Sequence, residues 1–350
     1  MASGTVARHA ADTVVLVAAP GAELSTTGLE PWGWDERWAA RWAEAAPAGA
    51  VPGRVVRHDR IAVMVAQAGG VRSLPFRTPA PPTVGDWVAV TDGVVEAVLP
   101  RTSFLRRRDP TTDDEQALAA NVDVVGIVCG LDRPVTEGRV QRFVAITHDA
   151  GAEPLVVLTK VDLVADPGPE LELVRRAVPG VEAITASATR GDGLEALRAA
   201  ALDRTLVLLG ESGAGKSTLL NALAGTEVAA TGEVRAGDAK GRHTTTSRQL
   251  HRLPSGGVLI DSPGIREVGL FVDLEALAAS FDDVATLGEG CRFRDCAHGN
   301  EPGCAVTSAV EAGSLARQRY EAWLTMRAEV AAAAVRAEEQ ARRPSRRRGR

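Results

Sequence analysis

The residues best suited to chemistry lie in one run: Gly210, Glu211, Ser212, Gly213, Ala214, Gly215, Lys216 and Ser217, followed by Thr218. The pattern is G-x-x-x-x-G-K-S, a phosphate-binding loop. Its glycines let successive backbone N–H groups turn inward as an anion nest. Lys216 can reach the β- and γ-phosphates of a nucleotide, and the Ser217 hydroxyl can ligate Mg²⁺. A second reactive set is Cys291, Cys296, His298 and Cys304, spaced C-x₄-C-x-H-x₅-C. Three thiolates and one imidazole complete a tetrahedral zinc shell with no open position, so this metal is expected to be structural. The third candidate is Asp261, which heads Asp261, Ser262, Pro263 and Gly264. An acid at a strand end beside a phosphate loop can hold Mg²⁺ through water, and the Gly264 N–H can meet a γ-phosphate. Thr245, in the preceding run 240–246, can complete the metal shell and report on that phosphate.

These groups need a scaffold, and the pattern around them supplies one. Thr205 to Leu209 is a short buried strand, and Leu219, Leu220, Ala222 and Leu223 recur at helical spacing, so the phosphate loop joins a strand to a helix. Upstream, Val122 to Cys129 and Leu155 to Leu158 are strands and Arg139 to Asp149 is a helix. Strands alternating with helices imply a parallel sheet covered on both faces, with ligands at the strands' carboxyl ends. Cys129 is expected to be a small core residue.

Residues 49–108 differ. Short β-type runs at 53–58, 61–65, 71–76, 86–90 and 94–98 are separated by turn residues, which suggests a small barrel of the OB type. The run ends in Arg101, Arg106, Arg107 and Arg108, a solvated linker or a phosphate-contacting edge. Before the barrel, Trp34, Trp38 and Trp42 recur every fourth residue. They are expected to share a helix face packed on the next domain, with aromatic contact to RNA bases as the alternative. The helix expected from about Leu315 to Arg342 carries several arginines, and the chain ends in an arginine-rich run, 342–350. That tail is either a plain solvated end or a phosphate-binding arm.

Composition sets outer bounds. The chain has 350 residues, 45% hydrophobic and 24% charged, with net charge −5, so it is not a basic nucleic-acid binder as a whole. The apolar run Val14 to Ala19 is too short to span a membrane, and no signal peptide is expected. Four cysteines, three of them crowded together, fit a reducing cytoplasm better than a disulfide framework. The chain has only three lysines, Lys160, Lys216 and Lys240.

Five segments together resemble the nucleotide motifs of Ras-like GTPases: Gly210–Ser217, the threonine run Thr244 to Thr246, Asp261–Gly264, the run Thr159, Lys160, Val161 and Asp162, and the pair Ser187 and Ala188. The last two precede the phosphate loop, so the resemblance is to a circularly permuted domain. It implies that the Lys160 stem lies along a purine and that Asp162 accepts from guanine N1 and N2. The nucleotide would then be GTP or GDP, because adenine lacks that donor pair. Thr159 stands where asparagine is commoner.

Barrel, permuted GTPase and Cys₃His zinc domain, in that order, resemble the RsgA (YjeQ/EngC) family over about residues 49–325. The further motifs that carry the likeness are Gly241 to Thr246, Asp261 to Glu267 and Glu301 to Cys304. The resemblance implies a cytoplasmic, monomeric GTPase with Mg²⁺ and one zinc, stimulated by the small ribosomal subunit and its rRNA late in subunit maturation, without a membrane. The rival readings are a GTP-dependent RNA-binding protein and a GTPase with a non-ribosomal partner. Domains are expected at 1–48, 49–108, 109–277 and 278–342, with a basic tail at 343–350. Ras-like enzymes orient the attacking water with a glutamine just after Asp-x-x-Gly. Here Ile265 fills that position, and His243, beside Thr244 and Thr245, is the candidate to replace it.

Overall fold

In the computed structural model the described residues are 28–59, 61–108, 115–229, 248–261, 274–299 and 301–342, with 16, 17, 23, 24 and 26. Helix α1, Glu36–Ala45, starts where the Asp35 carboxylate accepts from the Trp38 N–H at 2.9 Å. Trp38 and Trp42 lie on its inner face, and Trp34 enters just ahead of the cap. All three are at most 5% exposed; Trp34 and Trp38 pack on Trp87, the Trp34 and Trp87 rings 4.9 Å apart, and Trp42 packs on Trp34. Packing is therefore their role, and burial removes them from any RNA surface.

The barrel strands are β1 (Val51–His58), β2 (Val63–Gln67), β3 (Gly70–Leu74), β4 (Trp87–Thr91) and β5 (Val94–Val98). All pair antiparallel, in the order β5-β4-β1-β2-β3. A hairpin follows, β6 (Phe104–Arg108) with β7 (Glu115–Ala120), and it runs across residue 108. Arg101, Arg106 and Arg107 have protein partners. Arg101 grips the buried Asp86 carboxylate with two 2.8 Å bonds, Arg106 meets Asp149, and Arg107 meets Gln116.

The nucleotide sheet comprises β8 (Val124–Gly130), β9 (Glu153–Thr159), β10 (Glu182–Ala186), β11 (Thr205–Gly210), β12 (Gln249–Arg252) and β13 (Val258–Asp261). Its order is β10-β9-β8-β11-β13-β12, parallel except for the antiparallel β12. Strand β12 then pairs with β1 of the barrel, Gln249 opposite Arg57, so one sheet runs through both domains. β8 is buried along its whole length because helices cover both faces. Val125, Ile127 and Cys129 face α2 (Glu137–Asp149) and α3 (Gly168–Ala177); Val124 and Val128 face α4 (Leu194–Ala201) and α5 (Lys216–Ala224). Cys129 is thus a core residue, its thiol pushed up to about 11 by burial.

The junction between barrel and sheet is dry and specific. Gly85 has φ +95°, and a Cβ there would lie 2.1 Å from the Ala120 carbonyl oxygen, so only glycine fits. Arg54, 1% exposed, donates to the Thr205 hydroxyl at 2.8 Å and to the Trp32 carbonyl, and stacks 5.1 Å from the Trp87 ring. Burial lowers its pKa to about 10, with Asp123 opposing the fall, so it stays charged at neutral pH.

Of the four C-terminal helices, α6 (Leu274–Ser280) and α9 (Arg317–Arg342) pack against α2, while α7 (Asp282–Gly288) joins α6 to α8 (Ala305–Glu311). Arg319 is the pin: it holds Asp283 and donates to the carbonyls of Ser280 and Ala177, the last residue of α3. Arg142 on α2 grips Glu329 on α9 with bonds of 2.7 and 2.9 Å.

Candidate nucleotide and zinc sites

The phosphate loop leaves β11 at Gly210, whose φ is +147° and whose absent Cβ would sit 2.3 Å from the Val128 carbonyl oxygen. Gly215, at φ +96°, caps α5, which begins at Lys216, so the helix N-terminus closes the loop. Lys216 Nζ lies across the loop, donating to the Gly210 carbonyl at 2.7 Å and the Glu211 carbonyl at 2.6 Å. Ser217 and Thr218 open α5. Asp261 ends β13, two strands' width from the loop's outer flank at β8. Burial raises the Asp261 carboxyl pKa while the Lys216 charge opposes the rise. A divalent cation held there with Ser217 would favour the ionised form and neutralise phosphate charge.

The residues expected to read the base gather at the carboxyl ends of β9 and β10. Thr159 donates through its hydroxyl to the Ala214 carbonyl at 2.5 Å, tying this corner to the phosphate loop. The threonine thus makes a side-chain contact of its own with the loop. Lys160, in the left-handed region at φ +61°, extends its amine to the Gly213 carbonyl at 2.6 Å. Val161 and Asp162 follow in a short 3₁₀ turn. The Ser187 hydroxyl donates to Asp162 Oδ1 at 2.6 Å and accepts from the Arg190 N–H at 3.2 Å. Thr189 lies 3.4 Å from Oδ2. The Ser187 bond keeps the Asp162 carboxyl below the usual carboxylate range. Ala188 lies between Ser187 and Thr189 in the same turn.

Some side chains at the loop escaped the sequence reading. Arg139 on α2 pairs with Glu211 at 2.9 Å, and Arg133 reaches the Ser212 carbonyl at 3.4 Å. Asp132 meets Lys160 Nζ at 2.8 Å and Arg133 at 3.2 Å. The available signal was their place just past the end of β8, because ligands of parallel sheets gather at carboxyl ends. His243, Thr245 and Gly264 lie outside the described residues, as do Ile265 and the tail 343–350.

The zinc ligands assemble as their spacing suggested. The ligand atoms of Cys291, Cys296, His298 and Cys304 all lie within 4.8 Å of one another. A tetrahedral zinc with sulfur at about 2.3 Å sets neighbouring sulfurs about 3.8 Å apart. Cys291 and Cys304 are 3.9 Å apart, and His298 Nδ1 is 3.3 Å from Cys291 and 3.6 Å from Cys304. Backbone N–H groups of Ala305 and Thr307 point at the Cys291 and Cys304 sulfurs. Burial works against the Cys304 thiolate, but the Thr307 bonds and its neighbours pull its pKa down to about 6. The donor set and its spacing therefore fit zinc. Tyr320 and Arg327 of α9 hold the carbonyls of His298 and Ala297, joining the metal loop to the long helix. Cys296→Ser should lose stoichiometric zinc and loosen residues 291–304, while GDP affinity stays within about threefold, since a structural metal contributes folding energy locally. Metal analysis and hydrogen exchange check this; wild-type protein without zinc would refute it.

The comparisons agree with this geometry. The RsgA GTPase family model matches residues 98–271, and an ABC transporter model also matches residues 200–344, which include the phosphate loop. The small ribosomal subunit biogenesis GTPase RsgA of Streptomyces coelicolor is 45% identical over 341 residues, covering 92% of this chain and 93% of its own. The protein of the same name from Opitutus terrae is 42% identical, covering 88% and 91%. Among solved structures, YjeQ from Thermotoga maritima superposes with a TM-score of 0.60 at 29% identity, covering 80% of this chain and 98% of its own. YloQ, described as a circularly permuted GTPase, gives 0.59 at 24% identity, covering 85% and 97%, and speaks for the fold alone. With the segment Thr159 to Asp162 preceding the phosphate loop in sequence and joined to it in space, this chain belongs to the RsgA family of circularly permuted GTPases.

Proposed function

We propose that this chain hydrolyses GTP to GDP and phosphate in the service of small ribosomal subunit maturation. The observation that carries the reading is the joined corner: Thr159 and Lys160 bond the phosphate loop while Ser187 holds the Asp162 carboxylate. In that arrangement Asp162 accepts from guanine N1 and N2, the Lys160 stem covers the base, and the loop's N–H groups and Lys216 hold the phosphates. Ser217, Thr245 and, through water, Asp261 would hold Mg²⁺, which would supply charge neutralisation at the β- and γ-phosphates. The barrel lies within residues 49–108, the GTPase domain within 109–277 and the zinc domain within 278–342, with the β6–β7 hairpin and α6 bridging the boundaries and all acting within one monomer. Barrel and zinc domain dock on the subunit's rRNA, and the enzyme works in the cytoplasm. Among the described residues no helix is long and apolar enough to cross a membrane.

The test is GTP turnover and co-sedimentation with small subunits, large subunits and whole ribosomes, each with GDP or a non-hydrolysable GTP analogue. Turnover should rise on small subunits alone, and the analogue should favour co-sedimentation over GDP. Nucleotide-dependent binding without turnover would support the RNA-binding reading instead. Equal indifference to all three particles would point to a non-ribosomal partner.

A further inference from the structure

Four consecutive residues of the phosphate loop are each held from outside by a different side chain. Glu211 is held by Arg139, the Ser212 carbonyl by Arg133, the Gly213 carbonyl by Lys160, and the Ala214 carbonyl by Thr159. The geometry has a chemical consequence. A carbonyl held by a side chain fixes the plane of its peptide, and a nest of backbone N–H groups needs its peptide planes fixed. Two of the four holders, Arg133 and Lys160, are long, partly exposed cations with many rotamers. Left alone, each would spend much of its time in solvent.

One carboxylate links those two cations. Asp132 Oδ2 lies 2.8 Å from Lys160 Nζ and 3.2 Å from Arg133 Nη2. It follows Gly130 and Leu131 at the end of β8, so a buried strand fixes where it stands. Gly130 makes room for it, since a Cβ there would come within 2.6 Å of the Asp132 carboxylate.

We propose that Asp132 is a positioning residue for nucleotide binding, which it serves by holding Lys160 and Arg133 against the Ser212 and Gly213 carbonyls. It touches neither base nor phosphate. Its effect falls on how long the nucleotide stays, because Lys160 both covers the purine and braces the loop. Consistent with this, the Lys160 bond holds the Asp132 carboxyl below the usual carboxylate range. The inference rests on the GTPase reading and adds to it a residue outside the five recognised motifs.

The test begins with wild-type affinity for a fluorescent GDP, which must be measurable; if it is not, the GTPase reading fails and this inference is not the cause. Asp132→Ala should then weaken GDP binding about tenfold, mostly through faster dissociation, as expected for loss of charge-assisted bonds that hold a loop. Single-turnover hydrolysis of saturating, pre-bound GTP should stay within about twofold, because no reacting atom is contacted. Asp132→Asn, which keeps an acceptor oxygen without the charge, should recover part of the loss. A double-mutant cycle with Lys160→Ala should show that most of the Asp132 effect vanishes when the lysine is absent. Wild-type dissociation rates in Asp132→Ala, or effects that simply add in the cycle, would overturn the proposal. So would a loss of affinity accompanied by an equal fall in thermal stability of the nucleotide-free protein.

Discussion

Asp162→Asn will bind GTP and GDP on the order of 10³-fold more weakly than the unaltered chain and will gain affinity for xanthine nucleotides, as a site built on hydrogen bonds rejects a mismatched partner. The structure gives the direction. Ser187 accepts from the Arg190 N–H and has one hydroxyl hydrogen, which goes to Asp162 Oδ1. An asparagine must place its carbonyl oxygen there to keep that bond. Its amide then replaces Oδ2, a donor where the carboxylate only accepted. Guanine offers donors at N1 and N2, so donor faces donor. Xanthine carries a carbonyl oxygen at C2, which the amide can satisfy. Competition between GDP and xanthosine diphosphate for a fluorescent nucleotide checks this. An unchanged preference for guanine would show that Asp162 does not read the base.

The second large effect concerns the slow step. Ile265 can neither donate to nor accept from a water, so the isolated enzyme should bind GTP well and hydrolyse it slowly. Small subunits should accelerate hydrolysis on the order of 10³-fold, the low end for a group supplied on docking. Replacing His243 with alanine should remove most of that acceleration while GTP and subunit binding stay near normal. A neutral imidazole can accept a proton from the attacking water, and alanine cannot. Single-turnover hydrolysis of pre-bound GTP, with and without subunits, is the measurement. Full stimulation of His243→Ala would assign the water to another group, on the ribosome or elsewhere in the same run.

Much of this site was legible because its chemistry is local. A phosphate loop needs glycines, a lysine and a hydroxyl within eight residues, and four zinc ligands fit within fourteen. The tryptophan helix was legible in the same way, although Trp34 precedes the Asp35 cap and packs from outside the helix. What escaped depends on partners distant in sequence. Phe104–Arg108 resembled a linker because its arginines suggested solvent. In the structure Arg106 reaches Asp149 and Leu105 is buried, which makes a strand of it. Gln249–Arg252 has little apolar character and pairs as a strand only because β13 and β1 flank it. Asp132 and Arg133 carry no signal in the sequence, since nothing in their spacing shows that Lys160 folds back to meet them.

Strand β12 lies between β13 and the first barrel strand, with Gln249 opposite Arg57. A chain severed after residue 108 would lose that pairing and bare the flank of β12, next to apolar side chains that Val56 and Val84 now cover. Such an edge recruits other strands, so severed molecules would stack on one another and precipitate. The barrel therefore covers one flank of the nucleotide sheet, whatever else it touches. Loss of activity on removing it would report self-association before it reported a lost RNA contact. Exposed Arg72 on β3, on the far side of β1 and β2 from that seam, can be replaced without opening the edge.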